Sequence, residues 1–291
     1  MYAVYNKKKG ITMMLLSALS FSLMNVFSRL GAEIPVVQRT FVRNLVTALV
    51  VLTVMLRSGV AVRLEKGTLR DHILRAALGI VSMIGNFYAV DHMNLSDATM
   101  ILELNPFFAI LMSVVILNEK PTLRQLGFVL LALLGAAFVV KPSAAMFMSG
   151  GASIIALSSA FMGGTAYTLV RKLTGKGERG IVVILFFSVF SCLFCLPLML
   201  ASYTAFTPYL LLMTLGMAAC GCAAQFFVTA AYSYAPAAEI SFYDYSQLIF
   251  AAAFGYLFFD QMADKWSWIG YSIIFAAALM MFFHGRQKIN N

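Results

Sequence analysis

Charge is what this chain has least of. Asp, Glu, Lys and Arg make up 11% of its 291 residues, against about 25% in a soluble domain. With 61% hydrophobic residues and a mean hydropathy of +0.86, no stretch long enough for a soluble domain fits between the apolar runs. Acidic residues are the scarcer sign, 12 against 21 basic, for a net charge of +9. The basic residues are scattered through short loops and build no continuous patch, so nucleic acid is not an expected partner. His72, His92 and His284 sit near the ends of apolar runs and form no ligand cluster. Cys192, Cys195, Cys220 and Cys222 lie inside apolar runs, and the C-x-x-C at 192–195 has no histidine or polar company. Soft core packing accounts for them, and neither a metal nor a cofactor is expected. Walker A, H-E-x-x-H and G-x-S-x-G patterns are missing, so the chain is not expected to be an enzyme or to hydrolyse nucleotide.

What the chain does have is long apolar runs. Ten spans are expected, at 11–30, 36–56, 73–92, 97–117, 122–140, 151–171, 180–202, 208–232, 237–259 and 266–284, on a scale set by a hydrocarbon core of about 30 Å. The first follows Lys7-Lys8-Lys9 and has the outline of a signal peptide, but a counterpart later in the chain argues that it is kept. With the N-terminus inside, sixteen of the 21 lysines and arginines fall on the cytoplasmic side, Arg57, Arg63, Lys66, Arg70 and Arg75 among them. Only Lys141 and Lys265 fall in outside loops. The positive-inside rule then places both termini in the cytoplasm, in an integral multi-pass protein of the cytoplasmic (inner or plasma) membrane.

The two halves of the chain resemble each other. FYAVDHMNLSDATMILELNPFFAILMSVVILNEKPTLRQLG (87–127) aligns with FVTAAYSYAPAAEISFYDYSQLIFAAAFGYLFFDQMADKWSWIG (227–270). Glu103 meets Tyr243 beside Asp244, Asn105 meets Tyr245, and Glu119 meets Asp260 after a one-residue slip. The expected units are 1–140 and 141–291, five spans each. An odd number of spans inverts the second unit relative to the first. The expected fold is an all-α membrane protein: ten transmembrane helices as a 5+5 inverted-topology repeat around a central cavity.

Ten spans, the repeat, Asn105-Pro106 in the fourth span and N-E-K-P-T-L-R-Q-L-G at 118–127 together resemble the EamA family of the drug/metabolite transporter superfamily. The resemblance covers nearly the whole chain. It implies a carrier with a cavity lined by spans one, three, four, six, eight and nine, with five and ten at the periphery. One departure is Ser246, where the second copy would repeat the proline of the first. Any cavity is therefore expected to be asymmetric.

Glu103 is the leading candidate residue. A carboxylate at mid-membrane costs roughly 2.5–3.5 kcal/mol on insertion scales. Pro106, three residues on, has no N–H, so the carbonyl of Leu102 loses its helix partner. Thr99, Glu103 and Phe107 share one helical face at i, i+4, i+8. The bland alternative is a protonated or bonded Glu103 that only fixes packing. Other candidates for substrate binding or coupling are Asn25 and Phe21 in the first span, Asn86 in the third, Asn105 in the fourth, Phe161 in the sixth, and Tyr243 and Gln247 in the ninth. Ser, Thr and Gly stripes such as Ser17, Ser82, Thr165, Thr168 and Gly163-Gly164 read as helix-packing seams. Arg39 can snorkel to the surface. Arg43, one turn deeper, needs a carboxylate or an exposed carbonyl, with Glu33, Asp97 and Glu103 as the choices. Glu119, near Lys120 and Arg124, and Asp260, near Lys265, read as structural.

Two mechanisms follow. Burial penalises a charged Glu103, so it can exchange a proton for a cationic substrate. Alternatively Glu103 pairs with Arg43 and the site takes a zwitterion or an anion. The expectation is a secondary transporter of a small organic metabolite working by alternating access, either proton-coupled or as an exchanger. Its partners are that substrate, the lipid bilayer and, in the coupled case, protons. An amphiphile or lipid flippase is the alternative, and a membrane-embedded enzyme the more distant one.

Overall fold

The computed structural model describes residues 6–60, 63–140, 151–234 and 241–290. Among these residues the chain is helical throughout, as a segment in lipid must be when water cannot satisfy its backbone. The helices are α1 (Lys7–Leu30), α2 (Val36–Arg57), α3 (Leu69–His92), α4 (Leu95–Leu102), α5 (Asn105–Leu117), α6 (Leu123–Val140), α7 (Ala152–Gly175), α8 (Gly180–Ala201) and α9 (Pro208–Tyr234). A 3-10 segment, Ser241–Tyr245, leads into α10 (Ser246–Phe259), and α11 (Lys265–Asn290) ends the described chain. Eight helices are long and apolar enough to cross a membrane, counting Leu95–Leu117 as one. The fifth and ninth expected spans are shorter: Leu123–Val139 is a short apolar helix, and α10 has 14 residues. Residues 237–240 of the ninth expected span, and Lys141, lie outside the described residues.

Local chemistry sets several ends. Asn6 caps α1, its side-chain oxygen accepting from the Lys9 N–H at 3.0 Å. Asn118 and Asp260 close α5 and α10 in the left-handed region, at φ 53° and 51°. They are the only described non-glycine residues there. The amides just after them turn back identically, Glu119 N–H to Ser113 O at 3.2 Å and Gln261 N–H to Gly255 O at 3.0 Å. The repeat here thus pairs Asn118 with Asp260 and Glu119 with Gln261, one residue away from the sequence alignment. What recurs is a backbone turn that suits Asn and Asp, not the acidic charge that guided the alignment.

Helices pack in a pattern that maps onto itself when the halves are exchanged. α1 packs on α9 and α3 on α7; α2 packs on α8 and α6 on α11; α5 packs on α7 and α10 on α1. Small residues bring the backbones close, as they do wherever lipid supplies no hydrophobic drive. A Cβ on Gly270 would stand 2.6 Å from the Gly135 carbonyl oxygen, and one on Gly164 2.6 Å from that of Asn105. Small hydroxyls bridge the same seams: Ser17 to Ala224 O at 3.0 Å, Ser22 to Gln247 O at 3.0 Å, Ser82 to Ser159 O at 2.8 Å, and Thr168 to Ala109 O at 3.1 Å. The main apolar core lies where α4, α5, α6, α10 and α11 meet, around Leu95, Ile101, Leu104, Phe107 and Ile274.

Candidate substrate-binding site

The fourth span breaks at its centre. Glu103 and Leu104 separate α4 from α5, with ψ of 0° and −9°, far from the helical value near −42°. The Phe107 and Phe108 amides both bond to Leu104 O, which leaves the Glu103 carbonyl without its ordinary helix partner. The Tyr245 hydroxyl, from the 3-10 segment, donates to it at 3.2 Å. Pro106 therefore starts α5 rather than sitting inside one helix, a position its ring suits. Because of the break, Thr99, Glu103 and Phe107 do not form one continuous helical face. Thr99 bonds to its own helix at Leu95 O, 2.8 Å away, and Phe107 is in the core.

The second half is also irregular at the aligned place. Its 3-10 segment ends at Tyr245 and α10 begins at Ser246, although serine replaces the proline. This segment brings Asp244 within electrostatic reach of Glu103. The Oδ1 of Asp244 is buried with no hydrogen-bond partner. The Glu103 side chain, 8% exposed, makes no hydrogen bond to a described residue.

Two arginines also keep donors without a partner. Arg43 of α2 is 5% exposed. Its Nη1 reaches only Asn44 Oδ1, at 3.4 Å, and its Nε has no partner. It threads past α9 over Gly221, where a Cβ would stand 3.2 Å from Nε. Arg75 of α3 leaves Nε and Nη1 unpartnered and lays its guanidinium on the Phe187 ring at 4.0 Å. Among the described residues neither arginine forms an ion pair. Arg43 takes neither Glu33, which is exposed, nor Glu103, nor Asp97, whose Oδ1 accepts from the Tyr271 hydroxyl at 2.6 Å. The Glu103–Arg43 pair of the second mechanism is therefore not made among the described residues.

Tyr167 of α7 connects the two sets, within electrostatic reach of Asp244, Arg75, Glu103 and Arg43. It is 59% exposed. Arg75 was counted with the cytoplasmic loop and Tyr167 was not singled out from the sequence. An arginine in the run HILRAALG, one turn inside α3, was the available signal for the first; a lone tyrosine in an apolar helix carries none.

The remaining candidates scatter. Asn25, 1% exposed, and Asn86 each leave a side-chain oxygen unpartnered. Asn105 Oδ1 is also unpartnered, but it packs over Gly163, 2.6 Å from where a Cβ would stand, in the α5–α7 seam. Phe21 packs with Met24, Phe87 and Met217. Phe161 meets Phe108 edge to face at 5.5 Å. Tyr243 packs on Met14 and Ala231. Gln247 receives Ser22 through its backbone oxygen. Arg39 does not snorkel: at 1% exposure it is held by both oxygens of Asp91, by Ile34 O at 2.9 Å and by Ser28 O at 2.6 Å.

One end of the bundle carries a separate set of ion pairs. Asp71 accepts from Lys172 at 2.9 Å and Lys176 at 2.7 Å, and Glu119 pairs with Arg171 at 2.7 Å. Glu119 thus answers α7, not the Lys120 and Arg124 beside it in sequence. Glu178, in the α7–α8 loop, accepts from the Thr68 hydroxyl at 2.7 Å and the Glu65 N–H at 2.8 Å, with His72 Nε2 at 3.1 Å. Burial pushes the Glu178 carboxyl up, but the bonds from Thr68 and Glu65 and the nearby His72 outweigh it and leave it below the usual range.

The model of the EamA-like transporter family matches residues 8–141. A pseudopaline exporter of Pseudomonas aeruginosa is 27% identical over 278 residues, 94% of this chain and 96% of that one. An S-adenosylmethionine uptake transporter of Rickettsia prowazekii is 22% identical over 288 residues, 97% and 95% of the two chains. A crystal structure covering 97% of this chain and 99% of its own superposes with a TM-score of 0.63 at 15% identity, a likeness of fold alone.

Proposed function

We propose that this multi-pass membrane protein, whose residues 8–141 match the EamA-like transporter family and which is similar to an exporter and an uptake transporter, is a secondary transporter of a small organic metabolite. Alternating access around a site between the two halves is the mechanism. The observation that carries this reading is a set of charged side chains inside the bundle, on α2, α3 and the 3-10 segment, with polar atoms left unpartnered: Arg43 Nε, Arg75 Nε and Nη1, and Asp244 Oδ1. Buried charges left open are costly unless something else meets them, and in a membrane such groups mark substrate or ion paths.

The architecture we propose is ten spans in two inverted halves, with both termini in the cytoplasm. The exchangeable packing pattern, the matching left-handed caps and the paired breaks at 103–104 and 241–245 support the repeat. Inverted halves can trade conformations and open one site to either side. Glu103 and Asp244 face each other as like charges, so an entering cation displaces a proton from the pair, which couples transport to protons or permits exchange.

Reconstituted liposomes test this. Labelled S-adenosylmethionine and a panel of labelled amino acids serve as probes, with and without a pH gradient. A protein-dependent flux that follows the pH gradient is expected. In folded Glu103→Gln protein the gradient-driven part is expected to vanish while exchange at equal pH persists. Full gradient-driven flux in that variant removes Glu103 from coupling. A reporter fused after Gln287 that works only outside the cell overturns the topology.

A further inference from the structure

α2 packs against both α8 and α9, while α8 and α9 make little contact with each other. A groove of about 80 Å³ is left between the three. Thr47 and Val51 of α2 form its floor, Ile181 and Ile184 of α8 one wall, and Gln225, Phe226 and Thr229 of α9 the other. The floor is buried, whereas Phe226 and Thr229 stand exposed at the mouth. The same stretch of α2 exposes Leu49, Leu52 and Leu56, as a surface in contact with lipid does. The volume exceeds the roughly 10–15 Å³ that one water needs, but a held water also needs two to four polar partners. Both threonine hydroxyls are spent on their own helices, Thr47 on Arg43 O at 2.9 Å and Thr229 on Gln225 O at 2.7 Å. Only the Gln225 amide remains, so the groove calls for an apolar filler. Exchanging the halves turns this groove into the seam where α2 and α3 flank α8. That seam is filled by the chain itself, with Phe41, Met83, Phe187, Phe190 and Cys195 packed together.

The groove lies near one end of the bundle, and that end is basic. Arg179 caps α8 two residues before Ile181, and Arg57 ends α2 six residues after Val51. Arg57, Arg63 and Arg179 are exposed, and none forms an ion pair among the described residues. Of the nearby acids, Glu178 is buried against Thr68 and only Glu65 is exposed. We propose that the groove binds an anionic phospholipid of the leaflet at this end. One acyl chain lies on Thr47 and Val51 between α8 and α9, and the phosphate meets Arg57 and Arg179. A guanidinium pairs well with phosphate oxygens, and each basic side chain at a membrane surface favours anionic lipid. A helix from a second copy, about 10 Å across, is too wide for the groove. The lipid site does not depend on the transporter reading.

The test uses the full-length protein in mild detergent, stripped of lipid. The probes are dioleoylphosphatidylglycerol, dioleoylphosphatidylcholine and glycerol 3-phosphate. Thermal stabilisation reads binding, and native mass spectrometry counts the lipids retained. Phosphatidylglycerol is expected to bind roughly tenfold more tightly than phosphatidylcholine, and glycerol 3-phosphate not at all. Thr229→Phe and Ile184→Phe fill the groove and are expected to lose the retained lipid; two fillers cover one that folds poorly. Arg57→Gln with Arg179→Gln is expected to bring the two lipids to equal affinity while the acyl chain still binds. A phosphatidylglycerol with a photoactivatable diazirine in its chain is expected to label the walls at 181–184 and 225–229. Full retention in both folded fillers overturns the proposal, as does labelling spread evenly over the helices. Equal binding of the two lipids by the unaltered protein, or a shift with glycerol 3-phosphate alone, also overturns it. A lipid-free dimer that both fillers dissociate assigns the groove to a second copy and overturns the lipid.

Discussion

Arg39 and Arg43 stand one turn apart on α2 and live in opposite circumstances. Arg39 meets a carboxylate, a hydroxyl and two backbone oxygens. Arg43 meets one distant amide oxygen. Both are at least nine-tenths buried, so burial alone does not separate them. The difference lies in neighbours: α3 brings Asp91 to Arg39, whereas the wall opposite Arg43 offers Gly221 and Tyr167. A saturated buried charge holds helices together. The ion-paired end shows a contrast of burial instead, between the buried Glu178 and Glu119, whose pair with Arg171 is open to solvent, 39% and 65% exposed.

The largest expected effect breaks the saturated member. Arg39→Ala strands Asp91 in the bundle and is expected to cost about 3–5 kcal/mol, the usual penalty for removing one half of a buried pair. Unfolding in mild detergent measures it. The double variant Arg39→Met with Asp91→Leu is expected to lose much less, because no charge is left alone.

Glu178→Gln comes next, at about 1–3 kcal/mol, because Thr68 and Glu65 lose a charged acceptor. Its pH dependence has a definite sign. The folded Glu178 carboxyl titrates below its unfolded value of about 4.3. Its contribution is therefore complete above that value and is lost as the pH falls through the lower folded one. Midpoints followed from neutral to acid pH should drop more in the parent than in the variant, and parallel curves would remove Glu178 as their cause.

Arg43→Gln sharpens the comparison from the other side. Removing a charge that no carboxylate meets should leave stability within about 1 kcal/mol of the parent, or raise it, while flux falls. A loss as large as that of Arg39→Ala would make Arg43 structural. Smallest of all, Glu119→Gln should change stability by less than about 1 kcal/mol, as exposed ion pairs do, and by still less at high salt.

Much of the fold was legible in advance. Apolar runs announced the spans, and the seam role of Ser17, Ser82, Thr168 and the Gly163-Gly164 pair followed from residue size and type. Glu103 beside Pro106 marked a break that the structure contains. The legible part of the site stopped at single helices. Nothing in the chain order says that Asp91, more than fifty residues away, answers Arg39, or that Asp97 answers Tyr271 and so is not free for Arg43. Arg75 looked like a loop cation because it follows Arg70 and Asp71 so closely.

By itself the sequence determined what local chemistry controls: helices wherever a membrane forbids unpaired backbone, breaks where proline and a carboxylate interrupt them, and close seams where glycine and serine remove bulk. The tertiary structure alone decided which charges meet. Helices far apart in the chain pack side by side, and a one-turn step along α2 exchanges a carboxylate for one distant amide oxygen. Electrostatic pairing depends on distances of a few ångströms between elements, and those distances are set by packing, which no single helix encodes.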